Sequence, residues 1–130
     1  MVFKTTKTFK KQQLEKLFLS VKWESGKYPK SLKLAMKKSD TVISAWENGE
    51  LVGLMNAISD GSMNVFFPYL LINPKYQGSG IGKTIIEKML KCYENYFRKS
   101  LVCYSDKLEF YEKFGFKTDE GRLSLTIEKS

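Results

Sequence analysis

The run Gln77-Gly78-Ser79-Gly80-Ile81-Gly82-Lys83-Thr84 carries the residue types and spacing best suited to chemistry. Glycines at alternate positions let the backbone come close to a ligand, and the free N–H groups at the start of a following helix favour a phosphate. The functional reading is a diphosphate cradle, and the alternative is a tight strand-to-helix turn that binds nothing. Gly82-Lys83-Thr84 fits the end of a nucleotide-binding Walker A loop, but the first glycine of that pattern falls on Gln77. The dinucleotide fingerprint G-x-G-x-x-G starts well at Gly78 and Gly80 but needs a glycine where Lys83 stands. Both patterns fail in register.

Composition narrows the proton-transfer chemistry that could act beside such a loop. The chain of 130 residues has no histidine, which excludes a Ser-His-Asp triad, a Cys-His pair and a His-based zinc site. Cys92 and Cys103, the only cysteines, cannot close a four-thiolate cage, so no metal is expected. Proton transfer is left to Glu, Asp, Tyr, Lys, backbone or water. The formal charge of +8 points to an anionic partner without choosing among nucleic acid, a membrane surface and a phosphorylated cofactor. The N-terminus lacks the continuous apolar stretch of a signal peptide, and no run approaches the roughly 20 apolar residues of a membrane span. A cytoplasmic location, with both thiols reduced, is the expectation.

The elements that must position the loop can be read from periodicity. One domain over residues 1–130 is expected from length. After an extended start at Val2 to Thr6, Leu14, Leu17, Phe18 and Val21 form one apolar face of a helix from Lys10 to Trp23. Pro29 opens a second helix with Leu32, Leu34, Ala35 and Met36 on its apolar side. Asn48-Gly49 then joins two strands, Thr41 to Trp46 and Leu51 to Ile58, and Ser59 to Ser62 turns into a third, Met63 to Ile72. That third strand is apolar on both alternating faces, as in a strand covered on two sides, and is the candidate central strand. Pro68 cannot donate to a ladder, so a break in pairing is expected near it. A long helix with the stripe Ile81, Ile85, Ile86, Met89, Leu90, Tyr93 and Phe97 follows. A strand at Leu101 to Tyr104, a helix capped by Asp106 and running to Phe114, and strands at Phe116 to Thr118 and Arg122 to Ile127 complete a mixed α/β sandwich.

Gln77, Gly80 and Gly82 also match a third loop pattern, Gln or Arg, two residues, Gly, one residue, then Gly or Ala. In that register the chain resembles the GNAT-type N-acetyltransferases. Leu70-Leu71-Ile72-Asn73-Pro74-Lys75-Tyr76-Gln77 is similar to the central strand and lead-in of that superfamily, and Phe110-Tyr111-Glu112-Lys113-Phe114-Gly115-Phe116 to its helix-to-strand signature. The element order agrees over essentially the whole chain. The resemblance implies a central, mostly antiparallel sheet with helices on both faces. It also implies an acetyl-CoA cosubstrate whose pantetheine arm enters a splay beside the fourth strand.

Carried over, Leu70, Leu71 and Ile72 lie along the arm, and the amides of Gln77, Gly78, Ser79, Gly80, Ile81, Gly82 and Lys83 hold the diphosphate. The implied chemistry is direct acetyl transfer to a primary amine. Such an amine has a pKa around 10.4 and must lose a proton first. By resemblance Tyr111 is the acid for the CoA sulfur, and the Leu71 backbone N–H is the oxyanion donor. Glu109 and Glu112 lie roughly 200° and 100° around the helix from Tyr111, which leaves Glu24, Glu47, Asp60 or water as base. Where family members often carry Asn and Ala before the Phe-Tyr pair, this chain has Tyr104 and Lys107, so CoA contacts from that helix are not carried over.

Acceptor choice in this fold is implied to rest on the first two helices and their connection. Here that region offers Trp23, Glu24 and Tyr28, with Phe66 and Tyr69 from the sheet side; aromatics around a carboxylate suit a small-molecule or peptide amine. CoA phosphates give the loop lysines an anionic partner without nucleic acid, and no membrane partner is expected. A monomer or homodimer is. Two other readings stay open, an acyl-CoA sensor without turnover and a basic nucleic-acid-binding module.

Overall fold

The computed structural model describes residues 1–129 and divides into two compact units, residues 1–100 and the remainder from Leu101. In the first unit, β1 (Val2–Lys4), β2 (Thr41–Glu47), β3 (Glu50–Ser59), β4 (Asn64–Phe66), β5 (Leu70–Ile72) and β6 (Arg98–Ser100) form one sheet. Its order is β1-β2-β3-β4-β6, with β5 also pairing β3. All pairs are antiparallel except β4 with β6, which is parallel.

Two helices, α1 (Lys11–Ser20) and α2 (Pro29–Lys38), precede β2. The Lys10 N–H is satisfied by Gln13 Oε1 at 2.9 Å, which fixes the start of α1. Its end falls earlier than periodicity predicts, because Lys22 adopts φ 61° and turns the chain out of the helix. Leu14, Leu17 and Phe18 of α1 and Leu32 and Met36 of α2 pack on Val42, Trp46, Leu51, Leu54 and Leu71 of the sheet. Each fully buried side chain of this kind contributes roughly 1.5–3 kcal/mol. Leu34, expected on the same face, is 53% exposed.

The next helix, α3 (Ile81–Cys92), covers the opposite face. Side chains alternate along β3, so Leu54 points to α1 and α2, and Gly53 points the other way. A Cβ at Gly53 would lie 2.8 Å from Ile72 Cδ1, 3.3 Å from Ile85 Cδ1 and 3.4 Å from Ile81 Cγ2. Glycine at this position lets α3 approach the sheet. The helix stops at Cys92, and Phe97, predicted on its stripe, lies beyond it and is 76% exposed.

The expected central strand is divided. β4 and β5 both pair β3, and Phe67-Pro68-Tyr69 between them belongs to neither. The long strand flanked on both sides is β3, with β2 along one edge and β4 and β5 along the other.

The second unit holds one short helix, α4 (Leu108–Glu112), after a 3₁₀ turn at Ser105–Lys107. Asp106 lies inside that turn, and no side chain caps α4. The strand expected at Leu101 to Tyr104 falls earlier, at β6, and residues 116–118 and 122–127 form no ladder among the described residues. The alternation Leu123, Leu125, Ile127 reads as a strand, yet all three side chains are almost wholly exposed. Alternation marks a strand only where a neighbouring strand and a core face exist to receive it.

Candidate active site

The pairing of β5 decides which backbone groups it offers. Asn73 N–H donates to Val52 O at 2.8 Å and Asn56 N–H to Tyr69 O at 3.1 Å. Together with the register Leu54↔Leu71, these bonds place residues 69, 71 and 73 at the hydrogen-bonded positions of the antiparallel ladder. The Leu71 N–H therefore goes to Leu54 on β3. The N–H and C=O groups of Leu70 and Ile72 point to the opposite edge, where β5 has no strand partner among the described residues.

This corrects the expectation for Leu71. Its amide is committed to the sheet, and its side chain, 3% exposed, is part of the core under α1 and α2. The open edge belongs to its neighbours on either side. Gln77 Nε2 donates to Ile72 O at 3.1 Å, so that edge presents Leu70 N–H, Leu70 C=O and Ile72 N–H.

From β5 the chain enters the glycine loop through a 3₁₀ turn, Pro74–Tyr76. Asn73 Oδ1 accepts the Lys75 N–H at 3.0 Å and fixes that turn. Ser79 Oγ donates to Tyr76 O. Gly78 and Gly80 then have φ 82° and 86°, a region that costs other residues roughly 1–2 kcal/mol. Gly80 is the N-cap of α3, supplies no capping side chain, and no acidic residue stands in the first turn. Among the described residues the amides of Ile81, Gly82 and Lys83 are left without a side-chain acceptor at the positive end of the helix. Lys75, in the 3₁₀ turn before the loop, and Lys83, in the first turn of α3, are both exposed. An extended, amide-bearing arm fits the edge of β5, and an anionic group fits the head of α3.

Of the residues expected on the acceptor side, the structure brings Trp23 and Tyr69 together, with ring centroids 6.0 Å apart. Both rest on buried Phe18, which meets Tyr69 edge-on at 5.0 Å and Trp23 at 6.1 Å. The backbone N–H of Trp23 donates to Phe18 O at 3.1 Å, which fixes the chain at this position. Glu24 follows it, exposed, at the start of a 3₁₀ turn, Glu24–Lys27. Tyr28 is separate: it is 60% exposed and lines a groove of about 460 Å³ with Lys11, Gln12, Glu15, Lys27, Pro29, Lys30 and Ser31. Phe66 is 40% exposed on β4, before the break.

Two of the carboxylates weighed as bases are otherwise engaged. Asp60 Oδ1 accepts the amides of Ser62, Met63 and Asn64 at 2.7–3.0 Å, and Oδ2 accepts Asn64 Nδ2. Those bonds hold its carboxyl well below the usual carboxylate range, so it builds the turn and has little basicity. Glu47 lies 3.7 Å from the N-terminal amine.

In the second unit Tyr111 is buried, with Phe110 and Phe116 edge-on at 5.2 and 5.9 Å. Burial first, and Cys103 second, push its pKa up to about 12. The phenol keeps its proton at neutral pH. Its hydroxyl makes no hydrogen bond among the described residues. Among the described residues no group of three or more His, Cys, Asp or Glu side chains is placed to hold a metal ion.

Sequence reasoning missed Asn56 and Gly53. Each was visible as a break in the apolar run Leu51 to Ile58, where they are the two residues without an apolar side chain.

A family model described as an acetyltransferase (GNAT) domain matches residues 5–124. The chain is 32% identical over 113 residues to ycf52, an uncharacterized N-acetyltransferase of Pyropia yezoensis, covering 82% of this chain and 64% of that one. It thus spans under two thirds of that relative's length. Among solved structures, a GNAT-family acetyltransferase from Streptococcus pneumoniae TIGR4 superposes with a TM-score of 0.81 at 23% identity, over 98% of each chain. An aminoglycoside 6'-N-acetyltransferase complexed with coenzyme A superposes with a TM-score of 0.70 at 18% identity, over 88% of this chain and 84% of that one. At these identities the structures speak to the fold.

Proposed function

Because the chain belongs to the GNAT acetyltransferase family, we propose that it transfers an acetyl group from acetyl-CoA directly to a primary amine of a small molecule or peptide. The observation that carries this reading is the open edge of β5, which presents Leu70 and Ile72 and runs into the uncapped head of α3 behind Gly78 and Gly80. A structural neighbour of this fold is complexed with coenzyme A, which supports the same cosubstrate here. The family match crosses both units, which supports treating residues 1–130 as one domain.

Acetyl-CoA supplies an activated thioester, a flexible amide-bearing arm and a diphosphate. In the proposed mechanism Leu70 and Ile72 pair with the arm as an added strand would, fixing the thioester against the sheet. The amides from Gln77 to Lys83, with the α3 dipole, bind the diphosphate. The oxyanion role expected of Leu71 passes to the Leu70 or Ile72 N–H, the amides left on the open edge. Such a donor acts most strongly where it is fixed before reaction begins.

The acceptor ammonium gives up a proton to Glu24 or to water, since Asp60 is held in its turn, Glu47 lies against the N-terminal amine and the chain has no histidine. The nitrogen then forms its bond to the acyl carbon as the carbon–sulfur bond breaks. Tyr111 gives its proton to the departing sulfur, the newly bonded nitrogen sheds its extra proton to water to leave the neutral amide, and Tyr111 regains a proton from solvent. Trp23 and Tyr69 offer ring faces to the acceptor cation before it is deprotonated.

The test is a panel of aliphatic amines, aryl amines and peptides incubated with acetyl-CoA and the full chain, read by mass spectrometry. Acetylated product in at least one arm is expected. A raised melting temperature with acetyl-CoA and no product from any amine would instead favour the sensor without turnover.

A further inference from the structure

One buried side chain occupies the place where the sheet changes from closed to open. On one side of the break, β3 and β4 pair as Ile58↔Phe66; on the other, β3 and β5 pair as Met55↔Leu70. Between these pairs β3 has Asn56 and Ala57, whereas the opposite chain has Phe67, Pro68 and Tyr69. Two residues facing three is a β-bulge, and it advances the register by one.

The bulge leaves backbone donors to be satisfied. Phe67 N–H goes to Ser100 O on β6 at 3.0 Å, and Pro68 has none. Tyr69 N–H points back towards β3, where a regular ladder would offer the Asn56 carbonyl. The Asn56 side chain takes that place, with Oδ1 accepting the Tyr69 N–H at 3.0 Å while Asn56 N–H donates to Tyr69 O at 3.1 Å. Asn56 Nδ2 donates to Ser39 Oγ at 3.1 Å, and Ser39 Oγ donates to Ala35 O in α2 at 2.8 Å. Asn56 and Ser39 are 2% and 4% exposed. A polar side chain this deep is costly unless its groups are satisfied, and here both ends of the amide are.

We infer that Asn56 is a positioning residue for acetyl transfer: it caps the Tyr69 amide, stabilises the bulged register over the regular one, and so determines which amides of β5 face the open edge. In a register slipped by one residue, the alternation would reverse, turning the Leu70 and Ile72 amides into the sheet and Leu71 out. The same bond sets the backbone of Tyr69, whose ring packs on Phe18 and Trp23. The functional half of this inference rests on the acetyl-CoA reading of β5, and the structural half does not.

Amide hydrogen exchange on the full chain tests the structural half without any ligand. Tyr69 and Leu71 are expected to exchange at least about tenfold more slowly than Leu70 and Ile72, the factor that goes with one made hydrogen bond of a buried donor. Equal rates for Tyr69 and Leu70 would overturn the inference. Asn56→Leu keeps the branched shape and removes the oxygen, whereas Asn56→Asp keeps an oxygen for Tyr69. Asn56→Leu is expected to lose the Tyr69 protection and to raise the Kd for CoA about tenfold, with Asn56→Asp recovering most of both. A folded Asn56→Leu with unchanged CoA affinity would show that the side chain merely fills space. A wild-type chain that protects Tyr69 and binds no CoA would overturn the acetyl-CoA reading and uphold the bulge assignment.

Discussion

Gln77 Nε2 donates to the carbonyl oxygen of Ile72 at 3.1 Å, tying the first residue of the glycine loop to the last residue of β5. The bond occupies the Ile72 carbonyl and leaves the Ile72 N–H as that residue's remaining group on the open edge. It also links the strand to the loop that leads into α3. Gln77→Ala is expected to weaken CoA binding roughly three- to tenfold, the range for one exposed to part-buried hydrogen bond, with little change in melting temperature because Gln77 is exposed. Isothermal titration with CoA checks it.

Gly80 and Gly53 should fail for different reasons when substituted. A Cβ at Gly80 would meet nothing within 4 Å, so the cost of Gly80→Ala is conformational, about 1–2 kcal/mol from its φ of 86°. A Cβ at Gly53 would press on Ile72, Ile81 and Ile85. Gly53→Val is therefore expected to cost roughly 1–3 kcal/mol by overpacking and to move α3 off the sheet. Denaturant unfolding measures both costs. CoA affinity should fall further in Gly53→Val than its stability loss alone explains, because the head of α3 moves with the helix.

Tyr111→Phe should retain CoA binding and lose roughly 10²- to 10⁴-fold in kcat, the range for a positioned acid. The pH profile follows from the direction of the shift. Burial favours the neutral phenol and raises its pKa to about 12, so the acid keeps its proton through the range in which acceptor amines lose theirs. kcat/KM should rise with pH and show no descending limb below about pH 10, the ordinary phenol value. A fall centred near pH 8 or 9 would assign the acid elsewhere. The same shift is linked to folding: its stabilising contribution is complete below pH 10 and is lost as pH rises from 10 through the folded value of about 12.

The layers and the loop were legible in the sequence because their signals are local. Helical faces at Leu14, Leu17 and Phe18, the Asn48-Gly49 turn, and the interruption at Pro68 each follow from a few adjacent residues. Which amide of β5 faces outward was not legible. Leu70, Leu71 and Ile72 are similar apolar residues, and only the pairing with β3 separates the committed amide of Leu71 from its neighbours. That pairing depends on a one-residue bulge held by Asn56, thirteen residues away from Tyr69 in the chain. The carboxylates were hard to rank for a related reason: Asp60 looks free in the sequence, and four hydrogen bonds within its own turn engage it. The apolar alternation after Arg122 reads as a strand by pattern, although no ladder among the described residues receives it.

The most direct measurement is release of free CoA thiol on mixing the full chain, acetyl-CoA and a primary amine, with a blank for the exposed Cys92 thiol and for Cys103. The account predicts thiol release that requires the amine, matches acetylated product one for one, and falls sharply in Tyr111→Phe. Thiol release that is absent with every amine, or that proceeds equally well without one, would contradict it.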